Sequence, residues 1–167
     1  MIILGIDPGS RFTGWGILRS SGGNHTLVAD GRISISTRDP MPQRLAALGR
    51  GVSEIVDRFA PDLAAVESAF YGRNPRSLIV LAQARGAILA SLATHELDIS
   101  EYAPAEVKTA IAGTGRAGKE EVARMVTLLL GLDRTNPKPA DTTDAIAVAL
   151  CCAKRYRMDS LRGAGRA

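Results

Sequence analysis

Ile2-Ile3-Leu4-Gly5-Ile6-Asp7-Pro8-Gly9 is the stretch whose reading decides the fold. It is an apolar run closed by the turn sequence Asp-Pro-Gly, which reads as a central strand covered on both faces. A carboxylate, Asp7, stands where that strand ends. Outward from it, Thr13 to Leu18 and Leu27 to Ile35 read as two more strands, with turn residues between them over Ser20 to Asn24. An antiparallel meander therefore opens the chain.

The pattern then changes. Pro42 to Phe59 carries Leu45, Leu48, Val52, Ile55, Val56 and Phe59 at helical spacing. Leu63 to Val66 is a short buried strand ending at Glu67, and Ile99 to Ala103 is a fifth strand, with Pro104 suited to the first turn of a following helix over Val107 to Ala112. Helices are expected over Arg76 to Leu92, Lys119 to Leu130 and Asp141 to Tyr156. Strands that begin as a meander and later alternate with helices indicate an α/β fold with a mixed five-stranded sheet flanked by helices. Residues 1–156 form one domain on this reading, and 157–167, rich in Arg and Gly, a mobile basic tail.

Composition sets the limits. The chain has 167 residues, 46% hydrophobic and 23% charged, enough for one buried core. No apolar run spans a bilayer, and the first strand lacks the basic flank and small-residue cleavage site of a signal peptide, so a cytoplasmic protein without membrane contact is expected. Cys151 and Cys152 lie inside an apolar helical pattern and read as small core residues. The net charge of +4 favours a polyanionic partner.

The carboxylates carry the chemistry. If the strands ending at Asp7 and Glu67 are parallel neighbours, both acids leave the sheet at one edge, where such sheets build their sites. Asp141 and Asp144 head a stripe that continues through Ala145, Val148, Ala149 and Cys152 and should pack on the sheet. Each acid alone has a structural reading: a turn for Asp7, a solvated strand end for Glu67, helix capping for the pair. Convergence changes that, since one carboxylate pair at 4 Å costs about 4 kcal/mol at an effective dielectric of 20. Such a cluster requires bound cations or shifted pKa values, and oxygen donors without His or Cys suit Mg²⁺, with Mn²⁺ expected to substitute. Gly113-Thr-Gly-Arg-Ala-Gly118-Lys119 imitates a nucleotide-binding loop, but Glu120 and Glu121 follow it where a P-loop needs Ser or Thr. Phe70 and Tyr71 beside Arg73 and Arg76 suit stacking on splayed bases. The helix from Arg76 to Leu92 is apolar nearly all round, so it must bury more than one face.

Together, Ile3-Leu4-Gly5-Ile6-Asp7-Pro8-Gly9-Ser10, Ala65-Val66-Glu67-Ser68-Ala69-Phe70, Gln83-Ala84-Arg85-Gly86, Tyr102-Ala103-Pro104-Ala105-Glu106-Val107-Lys108 and Lys138-Pro139-Ala140-Asp141-Thr142-Thr143-Asp144-Ala145-Ile146-Ala147 resemble the RuvC family of bacterial Holliday-junction resolvases. The resemblance runs through nearly the whole chain. It implies an RNase H-like fold, a homodimer, and Mg²⁺-dependent cutting of four-way junction DNA in recombination and repair. Two metals in each site would give ends with a 5′-phosphate and a 3′-hydroxyl. It places Asp7, Glu67, Asp141 and Asp144 on the family's catalytic, metal-binding acids, although some relatives carry His at the Asp141 position. It sets Phe70 against bases at the junction centre, puts Lys108 and Lys119 near the cleaved strand, and implies the RuvA–RuvB branch-migration complex as a partner. The alternatives are a non-catalytic junction-binding module, which would have lost acids this chain keeps, and an RNase H-like nuclease acting on ribosomal RNA precursors.

Overall fold

The computed structural model describes residues 1–68 and 74–164, with side chains as far as 156, so Phe70, Tyr71 and Arg73 lie outside the described residues. Strands β1 (Ile2–Asp7), β2 (Phe12–Ser21) and β3 (Asn24–Ser34) form the expected meander. Gly22 and Gly23 make the tight β2–β3 turn at φ of 58° and 92°, angles that favour glycine. Helix α1 (Met41–Phe59) leads to β4 (Leu63–Glu67), helix α2 (Pro75–Thr94) to β5 (Asp98–Tyr102). Helices α3 (Pro104–Ala112), α4 (Lys119–Leu130) and α5 (Ala140–Ala164) complete the chain.

The sheet order is β3-β2-β1-β4-β5, antiparallel through the meander and parallel from β1 to β4 and β4 to β5. This is the mixed, RNase H-like arrangement the resemblance implies. The central strands are buried on both sides because side chains alternate across a sheet. Ile3, Leu63 and Ala65 face α3, α4 and α5, while Leu4, Ile6, Ala64 and Val66 face α1 and α2. Asp7 continues the Ile3–Gly5 parity, so it points to the α5 side. On that side β1 and β2 carry glycines: a Cβ on Gly5 would run into the Ala145 carbonyl, and one on Gly14 into the Asp141 carbonyl. Their missing side chains let α5 lie directly on the sheet, with Ala145, Val148 and Ala149 fully buried and Cys152 nearly so.

Two expectations need correction. Helix α5 does not end at Tyr156; its backbone continues to Ala164, because Arg157, Met158, Leu161 and Arg162 are good helix formers and no proline stops them. Helix α2, by length and mean hydropathy, is long and apolar enough to cross a membrane, against the expectation that no stretch is. Its small residues lower the run of large apolar ones without lowering the mean. Its packing is that of a helix within the domain: Ala84, Ile88 and Leu92 are buried in the core shared with α1, and Ser91 hydroxyl donates to the Gly49 carbonyl of α1 at 3.0 Å.

Candidate active site

The strand register builds the site. Asp7 pairs with Gly14, Gly14 with Arg32, and Glu67 with Tyr102, while Ile6 pairs with Val66, the residue before Glu67. One row therefore crosses the sheet as Arg32, Gly14, Asp7, Glu67, Tyr102. Asp7 and Glu67 end adjacent parallel strands and are hydrogen-bonded to each other through their side chains. Asp144, at the head of α5, hangs over them with its side chain only 20% exposed.

The electrostatics follow from this crowding. Burial first, then the charges of Glu67 and Asp144, push the Asp7 carboxyl up from 3.8 to about 8. Glu67 is also raised, by burial and by Asp144, against the lowering pull of its hydrogen bond with Asp7 and of Lys119 and Lys108. Lys119, the first residue of α4, donates from Nζ to Asp144 Oδ2 at 2.9 Å, and that bond holds its ammonium above the usual lysine range. Two adjoining clefts open here. One of about 220 Å³ has Glu67, Asp144, Lys108 and Lys119 in its walls, and one of about 230 Å³ has Asp7, Glu67 and Arg85; both include Pro104.

Asp141 stands apart. It is 38% exposed, lies 4.0 Å from Arg32, and is not among the charges that raise Asp7 or Glu67. Among the described residues, no three Asp, Glu, His or Cys side chains form a ready-made cage for a metal ion. Arg76 is exposed in the first turn of α2, where its backbone N–H donates to the Asn74 side chain that caps the helix.

The Gly113–Lys119 stretch proves to be a link between helices. Gly113 ends α3 at φ 80° and Gly118 precedes α4, so its glycines serve capping, and Lys119 turns to a carboxylate. A larger cavity of about 450 Å³ lies elsewhere, against α4 and the 131–138 loop, walled by Val126, Leu132 and Pro137. It contains none of the clustered acids. Two residues given no role on sequence grounds flank the site. Arg85 had a signal, as a charge in the middle of an apolar helix. Arg32 had none, because only the register sets it beside Asp141.

Buried carboxylates at the ends of neighbouring parallel strands, overhung by an acidic helix head and walled by two lysines, define a phosphodiester-cutting nuclease on an RNase H-like sheet. The chain belongs to the RuvC family: the model described as "Crossover junction endodeoxyribonuclease RuvC" matches residues 3–152. A RuvC from Neisseria meningitidis is 47% identical over 153 residues, covering 92% of this chain and 85% of that one. A RuvC from Alkalilimnicola ehrlichii is 45% identical over 164 residues, covering 98% of both. The structure of T. thermophilus RuvC in complex with Holliday junction substrate superposes with a TM-score of 0.89 at 35% identity, covering 95% of this chain and 96% of that one.

Proposed function

We propose that this protein resolves four-way DNA junctions by metal-dependent nicking of two strands, leaving 5′-phosphate and 3′-hydroxyl ends. The observation that carries the reading is the convergence of Asp7, Glu67 and Asp144 at one end of the sheet, where burial first, and then the charges of Glu67 and Asp144, push the Asp7 carboxyl up to about 8. An all-oxygen donor set that must shed protons to ionise fits Mg²⁺. Asp7, Glu67 and Asp144 would hold two such ions, with Asp141 joining from the head of α5. Bound there, the metal pair would activate water and stabilise the departing oxygen in an in-line displacement.

The chain's own residues do the rest. Lys108 and Lys119 set positive charge beside the acids, where a strand phosphate would otherwise be repelled. Phe70, Tyr71, Arg73 and Arg76 follow β4 and would meet unstacked bases and backbone at the junction centre. The junction-bound T. thermophilus relative supports this substrate over precursor ribosomal RNA, and the retained acids argue against a binding-only module.

A homodimer supplies the second active site that a two-fold junction needs. Helix α2 offers the face: Ile79 is 59% exposed on a helix otherwise rich in apolar residues. A cytoplasmic location and a handover from the RuvA–RuvB complex complete the proposal. The test is incubation with a synthetic four-way junction, with and without Mg²⁺, beside a double-stranded RNA control. Paired symmetric nicks that need Mg²⁺ are expected on the junction alone. Binding without nicks, or cutting confined to RNA, overturns the assignment.

A further inference from the structure

The row across the sheet does not stop at the acids. Two strands beyond Asp7, on the same face, Arg32 sits on β3 at 4.0 Å from Asp141 and 4.8 Å from the ring centre of Phe12. Arg11 covers the same ring at 5.2 Å. Phe12, the first residue of β2, is thus an aromatic plate with two guanidiniums over it, one from Arg11 in the turn just before β2 and one from Arg32 on β3. Arg44 of α1 holds the plate's support in place by donating to the carbonyl of Ser10. Arg11 and Arg32 are both exposed.

The geometry points to a second DNA-backbone contact, formed by Arg11 and Arg32 on the meander side of the cleft, opposite Lys108 and Lys119. Two strand spacings of about 4.8 Å put Arg32 about 10 Å from Asp7. Successive phosphates of one strand are separated by about 3.4 Å of axial rise, so a strand cut at Asp7 carries another phosphate to this plate within a few nucleotides. Stacking on Phe12 orders the guanidinium groups before DNA arrives, which lowers the conformational cost of using them. The flanking lysines alone would hold the strand from one side; the arginines give it a second rail and fix its direction across the acids. This inference rests on the nuclease reading above.

The test is the salt dependence of junction binding by the full-length protein in EDTA, measured by fluorescence anisotropy with a labelled four-way junction. Each phosphate contact contributes about 0.9 to the slope of log affinity against log salt. Arg11→Ala with Arg32→Ala should therefore flatten the slope by about 1.8, so that between 50 and 200 mM salt the double variant loses about tenfold less affinity than the unaltered protein. Arg11→Ala alone, which leaves the Arg32–Asp141 contact intact, should flatten it by about 0.9. Arg11→Lys with Arg32→Lys should restore the slope, whereas a purely structural role for the stacked guanidiniums would not be rescued by lysine. Arg58→Ala, on the far end of α1, serves as the control. Unchanged slopes in the alanine variants, with normal binding by the unaltered protein, overturn the second rail. Failure of the unaltered protein to bind any junction overturns the nuclease reading instead.

Discussion

Asp7→Asn should make the metal-free protein more stable while abolishing cleavage. The carboxyl of Asp7 ordinarily ionises near 3.8 but in the fold does so near 8. At pH 7 the folded state therefore holds a proton that the unfolded chain has released. Each unit of that displacement is worth about 1.4 kcal/mol, so over the window from 3.8 to 7 the cost approaches roughly 4 kcal/mol. An amide of the same shape carries no charge to suppress, and its NH₂ still donates to Glu67. Relaxation and the remaining desolvation of the amide reduce the gain to about 1–4 kcal/mol, or roughly 3–10 °C in Tm for a chain of this size. Thermal melts of both proteins at pH 7.5 in EDTA, then in 10 mM Mg²⁺, read it directly. The variant should melt higher without metal, respond less to Mg²⁺, bind junctions normally and not cut them. A variant that melts lower than, or level with, the unaltered protein in EDTA refutes the idea that Asp7 is held against its own charge.

The same linkage predicts a pH effect in the unaltered protein. A carboxyl raised in the folded state gives stability that falls as pH rises, here from about 4 to about 8, with a limiting slope of about 1.4 kcal/mol per unit; melts in EDTA at pH 5, 6, 7 and 8 should decline in order, and a flat series counts against the coupled acids. Lys119→Ala frees Asp144 from a mostly exposed ion pair worth about 0.2–1 kcal/mol, so Mg²⁺ binding without DNA, followed by calorimetry, should tighten up to about fivefold while junction cleavage falls. Gly14→Ala forces a methyl group into the backbone at Asp141, and should cost at least about 1–3 kcal/mol in denaturant melts and weaken metal binding together with stability. Ile79→Asp places a charge on the exposed face of α2, and the protein should elute as a monomer in sizing chromatography, with junctions nicked on one strand at a time.

What could be read in the sequence was whatever one strand or one helix decides. The run Ile2 to Ile6 announced a strand covered on both sides, with Asp7 at its end. The stripe through Ala145, Val148 and Ala149 aimed α5 at the sheet. What failed to show was anything decided by register between elements. Asp141 and Asp144 look equivalent at a spacing of three, yet in a helix of 3.6 residues per turn they differ by about 60° in direction and about 4.5 Å along the axis. Because α5 lies over Gly14, that offset sends Asp144 toward β1 and β4 and leaves Asp141 over β3, beside Arg32. No local pattern around Arg32 or Gly14 contains this. The end of α5 was hidden for another reason: arginine and glycine suggest a loose tail by composition, while the helix already formed through Tyr156 needs only tolerant residues to continue.

The acids are neutralised in three ways: by a proton on Asp7, held there by burial first and then by the charges of Glu67 and Asp144, by the ammonium of Lys119 on Asp144, and by the guanidinium of Arg32 beside Asp141. Each neutralises a different acid, and each must yield before all four carboxylates can act as ligands together. The response also sorts by strength. Asp7 and Glu67, the most buried and raised, are held by geometry that cannot relax, since both are backbone-fixed at strand ends. Asp144 and Asp141 are held by long side chains that can swing to a phosphate. Arrival of DNA therefore releases the helix acids, while only pH or a competing cation releases the strand acids. It follows that a rise of cleavage rate with pH toward about 8, followed by a plateau, would report deprotonation of Asp7. Its midpoint should move down as Mg²⁺ concentration rises, which ionisation of a metal-independent base would not do.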